Sequence, residues 1–161
     1  FICDRGVSHE LVRHRIASFS QESTRYCNYA GGVTFVIPPW VDIEPGEYKI
    51  EWEGLFGHND NEPNTKQESE WFWSCALSER QYNTLITFGW APQQARSVLI
   101  NSTKTEVDMT ANLRELRHFL RLRAAGEAGT PHPQMTEITI PLLTELRGRI
   151  PVIFDDIVIK N

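Results

Sequence analysis

Arg13-His14-Arg15 sets three cationic or protonatable side chains in a row, and a fourth, Arg25, follows the hydroxyl- and amide-rich stretch Ser18-Phe19-Ser20-Gln21-Glu22-Ser23-Thr24. Guanidinium forks and hydroxyls are what a phosphate or a pyrimidine edge requires. A solvated basic helix end, favoured by the helix dipole, explains the same residues as well. Taken alone, the run leaves both readings open.

A second signal lies in the helical stretch 111–125. Arg114, His118 and Arg121 fall on one stripe of its wheel, while Leu113, Leu116, Phe119 and Leu120 spread over the rest. Asn112 and Arg123 are about three turns apart, which puts them on one side, between Leu116 and Phe119. Arg123 therefore points inward, and a guanidinium in an apolar arc needs an anion or acceptors. A bound ligand and an internal salt bridge with one of the 21 acidic residues both satisfy that need, and snorkelling of Arg123 at the helix end would avoid it.

The elements that must hold these residues follow from caps, breakers and periodicity. Ser8 is expected to cap a helix from about His9 to Arg15. Residues 16–28 read as an ordered loop, Gly31-Gly32 as a break, and Val33 to Ile37 as a strand stopped by Pro38-Pro39. Residues 41–66 read as a long surface excursion in which Glu47 to Trp52 alternates like a strand. A helix is expected from Glu68 to Phe88, closed by Gly89, with Trp71, Cys75, Ser78 and Tyr82 on one side and Glu68, Glu70 and Glu79 on a solvated face. Trp71, Trp73 and Trp90 read as core or interface residues.

A second helix runs from Pro92 to Ile100, then a strand from Lys104 to Met109, then the helix Ala111 to Ala125. After a loop from Gly126 to Pro133, a helix is expected over Gln134 to Arg149, kinked or delayed by Pro141. The tail from Pro151 to Ile159 docks its apolar residues on the body. The expected class is α+β: one mostly helical domain with a small β-sheet, spanning residues 1–161.

Composition narrows the function. At 161 residues with 40% hydrophobic content the chain can bury a real core. A net charge of -5 argues against a general nucleic-acid binder, although an RNA-binding role for the arginine cluster stays a rival reading. No apolar run spans a bilayer and no signal peptide is visible. Cys3, Cys27 and Cys75 form no C-x-x-C pair, so neither a disulfide framework nor a zinc site is expected, and a reducing cytoplasm fits. His9, His58 and His132 have no metal-binding spacing. The chain opens on Phe1 and reads as a fragment.

The row Arg13-His14-Arg15, then seven residues, Ser23, one residue and Arg25 is R-H-R-x7-S-x-R. It resembles the motif of the flavin-dependent thymidylate synthases at every fixed position. The likeness extends from Asp4 through Arg25, and to Ala95-Arg96 with Val98-Leu99. It continues along Asn112-Leu113-Arg114-Glu115-Leu116 to Arg123, and to His132, Gln134, Glu137 and Ile138. The resemblance implies reductive methylation of dUMP to dTMP, with 5,10-methylenetetrahydrofolate as carbon donor and NADPH-reduced FAD as hydride source. It also implies a homotetramer with shared sites.

Position by position, the resemblance places Arg13, His14, Arg15, Ile16, Gln21, Asn112, Arg114 and His118 against FAD. Glu10, Arg13, Gln21, Glu22, Ser23, Thr24, Arg25, Arg96 and Arg123 fall to dUMP, with Ser23 and Arg25 on its phosphate. Arg123, against the uracil, is the catalytic residue. Three features depart from the family: Glu10 stands where Gln is usual, His118 stands where Asn is frequent, and the loop Gly126 to Pro131 is longer. The family's N-terminal portion, with its own flavin contacts, has no counterpart here. A flavin- or nucleotide-binding domain without turnover is therefore the other reading.

Overall fold

Asp4, not Ser8, starts the first helix. Its carboxylate accepts from the Val7 amide at 2.6 Å, the bond that an N-cap makes. Ser8 is fully buried one turn later and its hydroxyl donates to the Arg5 carbonyl. Asp4 takes the cap because its carboxylate reaches the free Val7 amide, whereas Ser8, buried beside Val7 and Leu11, bonds back to Arg5.

The computed structural model describes residues 1–54, 56–59, 63 and 65–159. In chain order the elements are β1 (Ile2–Asp4), α1 (Arg5–Leu11), β2 (Ser18–Gln21), β3 (Glu51–Glu53), β4 (Phe56–His58), α2 (Lys66–Thr87), α3 (Pro92–Ala95), β5 (Lys104–Thr110), α4 (Leu113–Arg123), α5 (Pro133–Arg149) and α6 (Pro151–Phe154). A single 3-10 turn, Arg96–Val98, follows α3. The class is α+β, mostly helical with small sheets, as the sequence implies. The backbone clusters into two compact units, residues 1–22 with 105–161, and residues 23–104.

In the first unit β5 is the middle strand of a sheet ordered β1-β5-β2. β2 pairs antiparallel with it, Ser18 opposite Thr110 and Gln21 opposite Val107. The sequence reads this segment as a loop. Its Ser and Gln content hides a strand whose partner lies more than 80 residues away, and no local signal carries such pairing. Along β5, Thr105 and Val107 are buried while Glu106 and Asp108 are exposed, the two-residue period that a half-covered sheet imposes. The core gathers Val7 and Leu11 of α1, Phe119 and Leu120 of α4, Met135 and Leu143 of α5, and Phe154 and Ile157 of the tail. Pro141 neither ends nor delays α5, which begins at Pro133.

The second unit is built on α2. Thr65 and Glu68 form a capping box at its start, and Gly89, with φ +90°, closes its end by donating to the Ile86 carbonyl. Phe72, Cys75, Ser78 and Tyr82 form its buried face. The Tyr82 hydroxyl accepts from the Tyr29 amide and the Ser78 hydroxyl donates to the Val98 carbonyl. Trp71 is part-buried, its indole N–H on the Ser102 hydroxyl, whereas Trp90 is exposed.

β3 and β4 form a two-stranded hairpin, with Trp52 opposite Gly57. A Cβ on Gly57 would stand 2.4 Å from the Trp73 ring, so only glycine permits this approach to α2. The expected strand over Val33 to Ile37 reduces to one bridge between Phe35 and Thr103. The helix expected from Pro92 to Ile100 breaks after Ala95 into the 3-10 turn, which Leu99 leaves in extended backbone. Glu79 is not on a solvated face; burial raises its pKa although the Val33 amide donates to it.

Candidate functional site

α1 ends at Leu11, so the row Arg13-His14-Arg15 lies beyond the helix rather than in its last turn. The Arg13 amide donates to the Glu10 carbonyl and the His14 amide to the Leu11 carbonyl, which turns the chain sharply. Arg13, Arg15 and Ile16 are exposed, and His14 alone turns inward, 7% exposed.

The His14 ring stands edge-on to Phe119 with centroids 4.9 Å apart, and the His118 ring lies 6.3 Å away. Its Nδ1 is 3.5 Å from Oε1 of Glu115, and its Nε2 accepts from Nε of Arg123 at 3.2 Å. Burial first, and then the Arg123 charge, pull the His14 pKa below the ordinary 6.5, against the opposing pull of Glu115. The imidazole is neutral at neutral pH.

Arg123 closes the last turn of α4 and points inward, as its place on the wheel requires. Nη1 donates to Oε2 of Glu10 at 2.9 Å, so the guanidinium is held at Nε by the middle residue of the motif and at Nη1 by a residue just before it. The internal salt bridge foreseen for an inward arginine is therefore present, and its acid is Glu10. Both side chains keep access to solvent, 24% for Arg123 and 35% for Glu10.

Asn112, Arg114 and His118 are exposed along α4. Asn112 also does structural work, its Oδ1 accepting from the Glu115 amide as the N-cap. Arg121 pairs with Glu127 in the following loop at 2.6 Å. Gln21 is tied elsewhere in this unit, its amide donating to the hydroxyls of Ser8 and Thr105 at 3.0 and 3.1 Å. The Glu22 amide extends the β2–β5 pairing by donating to the Glu106 carbonyl.

The rest of the motif belongs to the second unit. The Ser23 carbonyl accepts from the amides of Tyr26 and Cys27, and its hydroxyl accepts from the Arg25 amide at 3.4 Å, which winds residues 23–27 into a tight turn. Thr24 is buried, and its hydroxyl accepts from Nη1 of Arg96 at 3.0 Å. Arg25 is exposed with its guanidinium over the Tyr26 ring. Ser23, Thr24, Arg25 and Arg96 thus form one cluster, and Glu10, His14 and Arg123 form another.

Sequence reasoning missed Glu115 as a member of the second cluster. Its one trace was a lone carboxylate in the first turn of a helix whose later turns mix leucines and Phe119 with arginines.

Comparison with known proteins decides the family. A profile of the family described as thymidylate synthase complementing protein matches residues 1–152. The chain belongs to this family. The flavin-dependent thymidylate synthase of Corynebacterium glutamicum is 32% identical over 98% of the chain and 59% of its own length. That of Geobacter sulfurreducens is 32% identical over 94% and 56%. The Thermococcus onnurineus enzyme is 36% identical over 78% and 44%. The matched regions thus span 44% to 59% of the length of these relatives.

The fold is similar to that of PolB from Streptomyces cacaoi, described as a UMP/dUMP methylase and solved with 5-Br dUMP. Its TM-score is 0.70 at 22% identity, over 96% of this chain and 66% of that one. Membership in the thymidylate synthase complementing family agrees with the motif and its order along the chain. Among the described residues no His, Cys, Asp and Glu group could hold a metal, and no helix is long and apolar enough to cross a membrane.

Proposed function

We propose that the chain, as residues 1–161 of a flavin-dependent thymidylate synthase domain, takes part in the reductive methylation of dUMP to dTMP. The observation that supports this most directly is the pairing of Arg123 with Glu10 and His14. It joins the arginine assigned to uracil to the segment that carries the motif. With Nε and Nη1 held, the edge bearing Nη2 is left to meet a ligand. A guanidinium fixed there favours the N3-ionised, electron-rich uracil and stabilises charge as C5 takes up the one-carbon unit.

Ser23, Arg25 and Arg96 are suited to the dUMP phosphate. Arg25 and Arg96 are exposed donors, and the turn at Ser23 presents hydroxyl and guanidinium together. Arg13, Arg15, Arg114 and His118 are exposed donors whose chemistry fits the diphosphate of FAD. The flavin, reduced by NADPH, supplies the hydride, and 5,10-methylenetetrahydrofolate supplies the carbon. The protein's residues bind, orient and polarise. The family's homotetrameric assembly, with sites shared between subunits, belongs to this reading, as does a cytoplasmic setting.

The test is an assay of dTMP formed by the protein expressed from its full reading frame, given dUMP, methylenetetrahydrofolate, FAD and NADPH. Accumulation of dTMP that stops when FAD is withheld is expected. Binding of dUMP and FAD with no dTMP under any of these conditions would replace the enzyme with a binding domain of the same fold.

A further inference from the structure

Glu115 is a carboxylate 7% exposed, in a first helical turn where acids ordinarily face water. The helix N-terminus favours a negative charge there, but it does not require burial. Burying a carboxylate is costly unless a donor meets it. Its amide is already taken by the Asn112 cap, and its side chain stands 3.5 Å from Nδ1 of His14.

The other face of that imidazole decides the tautomer. Arginine has five N–H donors and no acceptor, so in the bond from Arg123 Nε the His14 Nε2 must offer a lone pair. A neutral imidazole with a bare Nε2 carries its proton on Nδ1, and that proton points to Glu115. Phe119 packs edge-on against the ring, and His118, at 6.3 Å between centroids, is the other titratable group facing it.

We propose that Glu115 is a positioning residue for Arg123, acting through His14. The carboxylate holds the Nδ1–H tautomer, the tautomer turns the Nε2 lone pair toward Arg123, and that lone pair fixes Nε of the guanidinium. Glu10 fixes Nη1, so the planar group is pinned at two points and its rotation about the last side-chain bonds is lost before any ligand arrives. Carboxylates orient metal-bound histidines in the same manner, with the metal in the place that the guanidinium occupies here. The part concerning ligand affinity rests on the proposed role of Arg123 at uracil; the tautomer and the pinning do not.

The experiment is long-range proton–nitrogen NMR of the His14 imidazole, together with exchange of the Arg123 Nε–H, on the intact protein without ligand. Wild type should show a protonated Nδ1, an unprotonated Nε2 and a slowly exchanging Nε–H. Glu115→Leu should speed that exchange and weaken dUMP binding about tenfold, the low end for loss of a partner that orients a binding group. Glu115→Gln, which keeps an oxygen acceptor, should restore most of both. A wild-type ring protonated at Nε2, or a folded Glu115→Leu protein with unchanged Nε–H exchange, overturns the proposal. If Glu115→Leu does not fold, the wild-type tautomer and the Glu115→Gln exchange rate still decide it. If the tautomer and the exchange behave as stated but dUMP is not bound, the relay stands and the reading of function fails.

Discussion

Arg96 reaches across its unit to Thr24, donating from Nη1 to the threonine hydroxyl over 3.0 Å although 72 positions separate the two. The contact ties the motif turn, where Thr24 is buried, to Arg96 beyond α3.

Loss of that contact is measurable. Thr24→Val keeps the shape of the buried side chain and removes the acceptor, so dUMP binding should weaken by about 0.5–1.5 kcal/mol. Arg25→Ala removes a charged donor and should cost about 1.5–3 kcal/mol. Isothermal calorimetry reads both, and an unchanged affinity in Arg25→Ala removes that residue from the phosphate site.

His14 makes stability depend on pH in a defined direction. Its folded pKa lies below 6.5, chiefly through burial and then through Arg123. As the pH falls from 6.5 toward the folded value, the unfolded chain takes up a proton that the folded chain refuses. The His14 contribution is therefore complete above 6.5, declines through that window and levels off below it. Urea midpoints of wild type should drop more steeply there than those of His14→Asn. Parallel curves for the two proteins would show that the imidazole titrates alike in both states.

The thiols should be chemically quiet. Burial pushes Cys3 up to about 11, helped by the Asp4 carboxylate, and Cys75 up to about 12. Both are fully protonated at neutral pH and poor nucleophiles. In the folded protein, alkylation should therefore spare Cys3 and Cys75. The triple change Cys3→Ser, Cys27→Ser, Cys75→Ser should leave dTMP formation within about tenfold, a barrier change of about 1.4 kcal/mol. Arg123→Ala should cost far more, because it removes charge stabilisation at the pyrimidine. Loss of dTMP in a single Cys→Ser protein, with Arg123→Ala active, would reverse these roles.

Asp4 carries two bonds at once. One oxygen caps α1 through Val7, and the other accepts from the Gln134 amide of α5 at 2.9 Å. Asp4→Ala should lower stability by about 1–2 kcal/mol for the cap alone, and by more for the stranded, buried amide. Asp4→Asn should recover part of that loss, because it still accepts at Val7. Equal denaturation midpoints for wild type and Asp4→Ala would remove the cap from the account.

The sequence by itself determined the long helices, the central strand and the family. α2, β5, α4 and α5 lie within a few residues of where periodicity, caps and glycine stops place them, because those signals act over neighbouring turns. The inward direction of Arg123 was legible for the same reason, since a helical wheel is local geometry. The motif was legible as residue types at fixed spacing.

Tertiary structure decided the rest. β2 is a strand because β5 offers it a ladder from the far end of the chain. Asp4 is held as the cap of α1 by a second bond, from Gln134, a partner 130 positions on. The partners of Arg123 were equally hidden. Glu10 and His14 lie more than a hundred positions before Arg123, and a charge chooses its partners by distance through space, to which the order of residues gives no direct access.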